Sequence, residues 1–294
     1  MPATSVVVAV KGSPRNLSRI LDALSLAQAH ETELVFAIAG ETPSLLARPP
    51  SGAKIVSLPE ETLVPLLWRD GIRAASARRV ALLTSECVPA SDWLALVVET
   101  DVARWAGIGG TLVNDEASDA RNWAVYLLRY LRFAPPSPRR VVDDIAADNA
   151  VYDRLAILDH PGLLDGGFWE PSFHARFLAS GREMLFDPQL RVTHSGTNEA
   201  LPFMRHRYAH GHQYGRARAE GVGTGKNIAL LIASPFLPFL MLYRIFTRAA
   251  KSDLLASMAK SSLYLLLFVL AWAAGECSGY FAALVGCPKR KQSI

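Results

Sequence analysis

Two residues in the stretch Gly166–His194, GGFWEPSFHARFLASGREMLFDPQLRVTH, have types and positions that could do chemistry. Glu170 stands at the polar mouth of a helical pattern, where a placed carboxylate can take up a proton. His194 stands where the next extended segment runs out. A carboxylate at a helix mouth and a histidine at a nearby strand end can build one site. The same residues also fit a capped helix with a solvated acid, followed by a loop histidine. His206 and His210 are spaced i, i+4, which a metal can use, but they lack the intervening glutamate of the zinc-protease pattern.

The elements around Glu170 follow from spacing. Gly166-Gly167 breaks the chain. Phe168, Phe173, Phe177 and Leu178 then recur at helical spacing and predict a helix resting on a core, with Gly181 as its C′ stop. Glu183–Thr193 reads as a strand. Upstream, Ser5–Val10 is a β-branched run of the kind buried on both faces of a sheet. After the Gly12-Ser13-Pro14 turn, Leu17, Ile20, Leu21, Leu24 and Leu26 predict an amphipathic helix. Glu33–Ala39, Lys54–Leu58 and Val80–Leu83 read as further strands, Thr62–Arg78 and Pro89–Thr100 as helices, and Ala106–Leu112 as glycine-rich extended chain. Strands alternating with helices predict an α/β fold, mostly parallel with helices on both faces. Ligands of such sheets bind beyond the carboxyl ends of the strands. The loops after Val10, Ala39 and Leu83 are therefore where a nucleotide would lie.

Charge and hydropathy divide the chain. Residues 1–200 hold 19 Lys and Arg against 24 Asp and Glu, and residues 201–294 hold 12 against 3. Half the residues are hydrophobic and the mean hydropathy is +0.17, high for a purely soluble enzyme. Basic residues beside apolar runs point to anionic membrane lipids. A nucleic-acid enzyme would carry its basic charge on the first part, which is acidic. The apolar run Val6–Val10 is too short for a signal peptide and has no basic residues before it. Three cysteines, Cys87, Cys277 and Cys287, make no disulfide framework and no metal spacing, so a reducing cytoplasmic setting is expected.

Five pieces in order carry a family resemblance: SVVVAVKGSPRNLSRILDAL, ELVFAIAGET, DGIRAASARRVALL, TSECVPASDWLALVV and DNAVYDRLAILDHPGLLDGGFWEPSFHARFLASG. Together they resemble the family 2 inverting glycosyltransferases, which have the GT-A fold, over roughly residues 3–215. The resemblance implies a nucleotide-sugar donor, transfer with inversion and a divalent metal, Mn2+ or Mg2+. It places Glu170 at the base position, with Trp169 before it as a sugar-stacking candidate. Asp148 and Asn149 fall where the family contacts donor sugar or acceptor. His174, inside the helix, is read as structural.

The departures are equally specific. Where the family has Asp-X-Asp, whose carboxylate holds the metal on the diphosphate, this chain has Thr84-Ser85-Glu86. By the resemblance Glu86 and His194 would share the metal, with diphosphate oxygens and water completing the shell. The acidic pair that ends the second strand is Ile38-Ala39 here, so the usual nucleobase carboxylate is missing. Lys11, just beyond Val10, and Arg69, in Leu67-Trp68-Arg69-Asp70-Gly71, are donor-side candidates together with Ser85. Trp68 is expected in the core or the cleft wall. The Gln-x-x-Arg-Trp motif of processive relatives does not occur, which favours adding a single sugar.

Beyond residue 200, Pro202–Glu220 predicts a basic amphipathic helix at a headgroup surface, with Arg205, Arg207, Arg216 and Arg218. Asn227–Tyr243 is an uncharged run of 17 residues broken by Pro235 and Pro238, the lower limit for crossing a core about 30 Å thick. Ser261–Gly286 is longer and apolar except for Glu276, which needs a partner or a proton. Lys289-Arg290-Lys291 would mark a cytoplasmic end. Arg244, Arg248, Lys251 and Lys260 between the two runs would then lie opposite the catalytic domain in a plain hairpin, against the positive-inside rule, so spanning and re-entrant arrangements both stand. The domain expectation is 1–200 catalytic, 201–226 interfacial and 227–294 two hydrophobic helices. The functional expectation is a transferase at the inner (cytoplasmic) membrane, facing the cytoplasm, acting on a lipid-linked or glycan acceptor. Its rival is a catalytically degenerate relative serving as a glycan-binding or partner subunit. A transporter would need more spans than the sequence has.

Overall fold

The computed structural model describes residues 2–12, 15–25, 31–196, 198–220 and 222–286. Ser13, Pro14, Leu26, Cys287 and the Lys289-Arg290-Lys291 run lie outside them. The chain forms two compact units. One comprises the chain up to Asp115 together with Phe133–Gly196, and the other comprises Glu116–Arg132 together with the chain after Gly196.

The first unit is built on β1 (Thr4–Val10), α1 (Leu17–Ala23), β2 (Thr32–Ala39), β3 (Lys54–Leu58), α2 (Val64–Ala74), β4 (Arg79–Thr84), β5 (Cys87–Pro89), α3 (Trp93–Val98) and β6 (Gly107–Asn114). After α4 (Ala120–Arg129), which belongs to the second unit, it continues with β7 (Arg140–Val142), β8 (Ala150–Asp153), α5 (Arg154–Leu158), α6 (Pro161–Asp165), α7 (Glu170–Ala179) and β9 (Met184–His194). The sheet order is β3-β2-β1-β4-β8-β6-β9-β5, with β7 on β9. It is parallel from β3 to β4 and mixed beyond, because β8 enters antiparallel to both β4 and β6. Every residue of β1 is buried, as a strand covered on both faces requires.

Two helices are shorter than their patterns predict. Residues 75–78 leave α2 because Ala75 turns extended and the Glu33 carboxylate accepts from Ser76 N at 2.8 Å. Pro89 pairs with Val192 in a short strand, so α3 starts only at Trp93. Gly181 takes the left-handed conformation (φ 74°) that a C′ glycine supplies after α7.

Asp153 clasps the end of β8. It is almost fully buried and accepts from Arg78 (3.1 and 3.2 Å) and Arg182 (2.9 Å). Burial alone would raise its pKa, but the two arginines outweigh burial and hold it below the usual carboxylate range. A lowered folded pKa adds stability above the unfolded value of about 4, and that stability is lost as pH falls through the folded value. Asp153→Asn should therefore cost about 1–3 kcal/mol at neutral pH and flatten the acid limb. Thermal unfolding of both chains from neutral to acid pH checks this; parallel acid limbs would refute it.

The second unit adds α8 (Ala200–Glu220), α9 (Thr224–Ala233), α10 (Leu237–Lys251) and α11 (Leu255–Leu284) to α4. α8 does not stand alone as a surface helix but lies lengthwise on α11. A Cβ on Gly211 would meet Trp272 O, one on Gly215 Glu276 O, one on Gly275 Tyr208 O, and one on Gly279 His212 O. The two backbones touch through four glycines spaced four apart on each helix, and they run parallel. Glu276 gains the partners that its position demands: Trp272 Nε1 (2.9 Å), the Tyr280 hydroxyl (2.5 Å) and the Arg218 guanidinium (3.7 Å).

Candidate functional site

The carboxyl ends of β1 and β4 lie side by side, with Ala9 paired to Thr84 and Ser85 N donating to Ala9 O at 2.9 Å. The chain then turns through half-buried Glu86 into β5, where Cys87 pairs with His194 at the end of β9. His194 is fully buried. Its Nδ1 lies 3.1 Å from Asn114 Oδ1 and its Nε2 faces Glu86 Oε2 at 3.8 Å. With Nδ1–H donating to the Asn114 carbonyl, the Nε2 lone pair points toward the carboxylate, the tautomer that suits a metal ligand.

Thr84 is more than a lost aspartate. Its hydroxyl donates to Asp148 Oδ1 at 3.0 Å. Asp148 lies in the helical turn Ala147–Asn149, and Ala147 N donates to Glu170 Oε1 at 2.6 Å. Thr84, Asp148 and Glu170 are thereby joined through one short turn, with Glu170 on the first residue of α7. The Ala147 N–H holds the Glu170 carboxylate in place at the mouth of α7. Trp169, half-exposed beside it, ties its Nε1 to Gly166 O at 2.8 Å and so has a fixed ring.

Asn149 needs a correction. It is fully buried, accepts from Trp93 Nε1 (2.8 Å), and donates to Thr111 O (3.0 Å) and Leu190 O (2.9 Å). An amide satisfied on three sides inside the sheet cannot also touch an acceptor, so it supports the turn that carries Asp148. Arg69 is likewise engaged. Its Nε and NH2 grip Asp70 at 2.8 Å each and its NH1 donates to Asp165 O, so it meets a diphosphate only by releasing Asp70. Lys11 donates to Thr62 O (2.7 Å) and Glu61 O (3.3 Å), and burial lowers its pKa against the raising effect of Glu61 and Glu60. Val10 is buried and paired with Ile38, which leaves only its backbone for a ligand. Ser85 is buried, and its carbonyl takes a bond from Asn16 Nδ2 at 3.3 Å. Trp68 is core, with its Nε1 on Leu83 O at 3.1 Å.

Three residues carry more than their sequence showed. Asn16 also bonds Ser195 O (2.9 Å), which fastens the loops after β4 and β9 to each other. Buried His174 sits between part-exposed Asp144 (Nδ1 to Oδ1, 2.8 Å) and buried Tyr152 (Nε2 to OH, 3.0 Å) in one line. Burial first, and then the charges of Glu170, Asp144 and Asp148, push the Tyr152 pKa well above its ordinary value. The hydroxyl stays protonated. A lone histidine inside an apolar helix gives no sequence signal of such a line, because both its partners come from other elements.

The donor set matches a divalent ion only in part. Among the described residues no cluster of three or more His, Cys, Asp or Glu side chains could hold a metal. Glu86 and His194 supply one carboxylate and one imidazole, which suffices only with oxygens from a diphosphate and water.

No protein-family model matches the sequence, and no curated protein matches it. Among solved structures the chain is similar to a mannosyltransferase, PcManGT, from Pyrobaculum calidifontis, in a complex with GDP-Man and Mn2+. The two are 15% identical with a TM-score of 0.52, and the match covers 94% of this chain and 87% of that chain. That likeness shows the fold: a GT-A-like α/β arrangement with a mixed sheet, followed by long C-terminal helices, as the sequence leads one to expect.

Proposed function

We propose that the chain is a membrane-associated, family 2-like glycosyltransferase. It moves one sugar from a nucleotide-sugar donor onto a lipid-linked or membrane-proximal glycan, with inversion. We place it at the inner (cytoplasmic) membrane with the catalytic unit on the cytoplasmic side. The observation that carries the reading is the Glu170 carboxylate, held by Ala147 N on the turn that bears Asp148, beside the carboxyl end of β4. The similar mannosyltransferase bound to GDP-Man supports a nucleotide-sugar donor.

In this reading Glu170 removes the acceptor hydroxyl proton while that oxygen attacks the anomeric carbon. The bond to the diphosphate breaks on the opposite face and the diphosphate leaves with its charge. Asp148 and Trp169 would orient the sugars. Glu86 and His194 would hold the divalent ion, Mn2+ or Mg2+, which when bound neutralises diphosphate charge. Lys11, Ser85, the Val10 backbone and, once released, Arg69 remain the donor-side candidates. The rival reading, a degenerate non-enzymatic subunit, draws on Thr84-Ser85 in place of a metal carboxylate and on the engaged Arg69.

The test is calorimetric binding of a panel of sugar nucleotides, with and without Mn2+ or Mg2+. Metal should strengthen binding of the right donor, and Glu86→Ala should remove that gain, a loss of at least about tenfold. Binding indifferent to metal and to Glu86 would end the metal assignment. No binding to any donor would favour the subunit reading.

A further inference from the structure

Two helical stretches, Thr224–Lys251 and Leu255–Leu284, are long and apolar enough to cross a membrane, with mean hydropathies of 1.9 and 1.6 over an 18-residue window of each. Packing inside the second unit argues against crossing. Any window of about 20 residues within Leu255–Leu284, the length a span needs, includes Leu265–Ala274. That stretch lies against α8: Phe203 stacks edge-on to Phe268 at 4.6 Å, the Arg207 guanidinium sits over the Trp272 ring at 4.3 Å, and Gly211 touches Trp272 O. α8 turns Arg205, His206, His210 and Gln213 outward. If α11 spanned a bilayer, its parallel partner would carry those side chains into hydrocarbon, where charged groups are costly.

The other side of α11 is of opposite character. Leu263, Leu266, Leu270 and Phe281 are 41–66% exposed. At 3.6 residues per turn they lie about 180° around the helix from Phe268, Trp272, Gly275 and Gly279, which face α8. α9, α10 and the turn between them likewise expose Ile232, Phe236, Phe239 and Tyr243, each 66–71% accessible. Exposed Arg244, Arg248, Lys251 and Lys260 flank the turn between α10 and α11, with Asp253 the acid among them. An apolar face backed by a polar helix and edged by cations is the pattern of a monotopic surface binder.

We propose that the second unit lies in the plane of an anionic bilayer surface. The outer faces of α9–α10 and α11 enter the acyl boundary, α8 stays in water, and neither long helix spans. The proposal rests on the reading that the protein works at a membrane. It removes the conflict with the positive-inside rule, because the α10–α11 turn and both its ends stay on one side.

The experiment uses the full chain, added to preformed vesicles of phosphatidylcholine with or without phosphatidylglycerol. The protein should float with the anionic vesicles, and Arg244→Gln with Arg248→Gln should weaken binding by roughly tenfold or more. Gly223→Cys, where a side chain meets nothing, and Ala250→Cys mark the two ends of the α9–α10 stretch. Measured above the parent chain's own cysteines, both should react with a membrane-impermeant maleimide from the outer side and remain reactive when vesicles are bound. Protection of one end in bound protein would overturn the in-plane arrangement in favour of a span while keeping the membrane reading. No flotation, or self-association by light scattering in its place, would overturn both. Sugar-nucleotide binding by the same preparation reports on the catalytic reading independently of lipid.

Discussion

Glu170→Gln is expected to lose about 10²–10⁴-fold in turnover while binding the donor as the parent does. The amide keeps the size of the side chain and can still accept from Ala147 N through its carbonyl, the bond made at 2.6 Å in the parent. What it loses is the ability to take the acceptor proton. The measurement is single-turnover transfer with the donor found in the binding panel, alongside calorimetry of the same donor. A loss confined to the chemical step supports the base. Turnover within a few-fold of the parent would remove Glu170 from that role. Equal losses in donor binding and turnover would instead mean that Glu170 shapes the turn bearing Asp148.

The second large effect is on stability. Phe173 is fully buried on α7, with ring centroids 4.7 Å from Phe168 and 6.1 Å from Phe177. Tyr152 and Trp68 close the cluster around Phe168, at 5.1 and 6.4 Å. Phe173→Ala should cost about 3–5 kcal/mol, the range for emptying an aromatic site in a core that cannot collapse. For a unit of this size the melting temperature should fall on the order of 10 °C. Phe173→Leu keeps most of the volume and should cost well under half as much. Because the same helix carries Glu170 three residues earlier, the alanine variant should also lose turnover below its melting point, and the leucine variant should recover most of it. A drop of only a degree or two in Phe173→Ala would show that α7 does not depend on this cluster.

Much of the first unit was legible in the residues. The β-branched run Ser5–Val10 and the apolar run within Glu33–Ala39 read as buried strands, and Phe173 and Phe177 as the inner face of a helix; Phe168 packs with them from just ahead of α7. These patterns are local, so their spacing carries the period of the element directly. Glu170 and His194 could be picked out for the same reason, since each stands at the end of such an element. Boundaries were lost where a tertiary contact intervened: the Glu33 carboxylate unwinds the end of α2, and the β9 strand captures Pro89.

What spacing could not disclose is who meets whom across the fold. Asn149 looked like a residue for an acceptor, and only the convergence of Trp93, Thr111 and Leu190 shows that its amide is consumed inside. Thr84 looked like a defect in a metal motif, and only the approach of Asp148 gives its hydroxyl a task. Gly211, Gly215, Gly275 and Gly279 stood unremarked in two apparently independent segments, because nothing in either one says that the other will lie against it. The amino-acid sequence by itself determined the strands, the helices, the carboxylate at the mouth of α7 and the apolar character of the C-terminal third. Tertiary structure alone decided which polar groups are free to act and which face of each long helix meets its surroundings. Hydrogen-bond satisfaction and helix-face exposure are set by neighbours distant in the chain, and local periodicity carries no information about them.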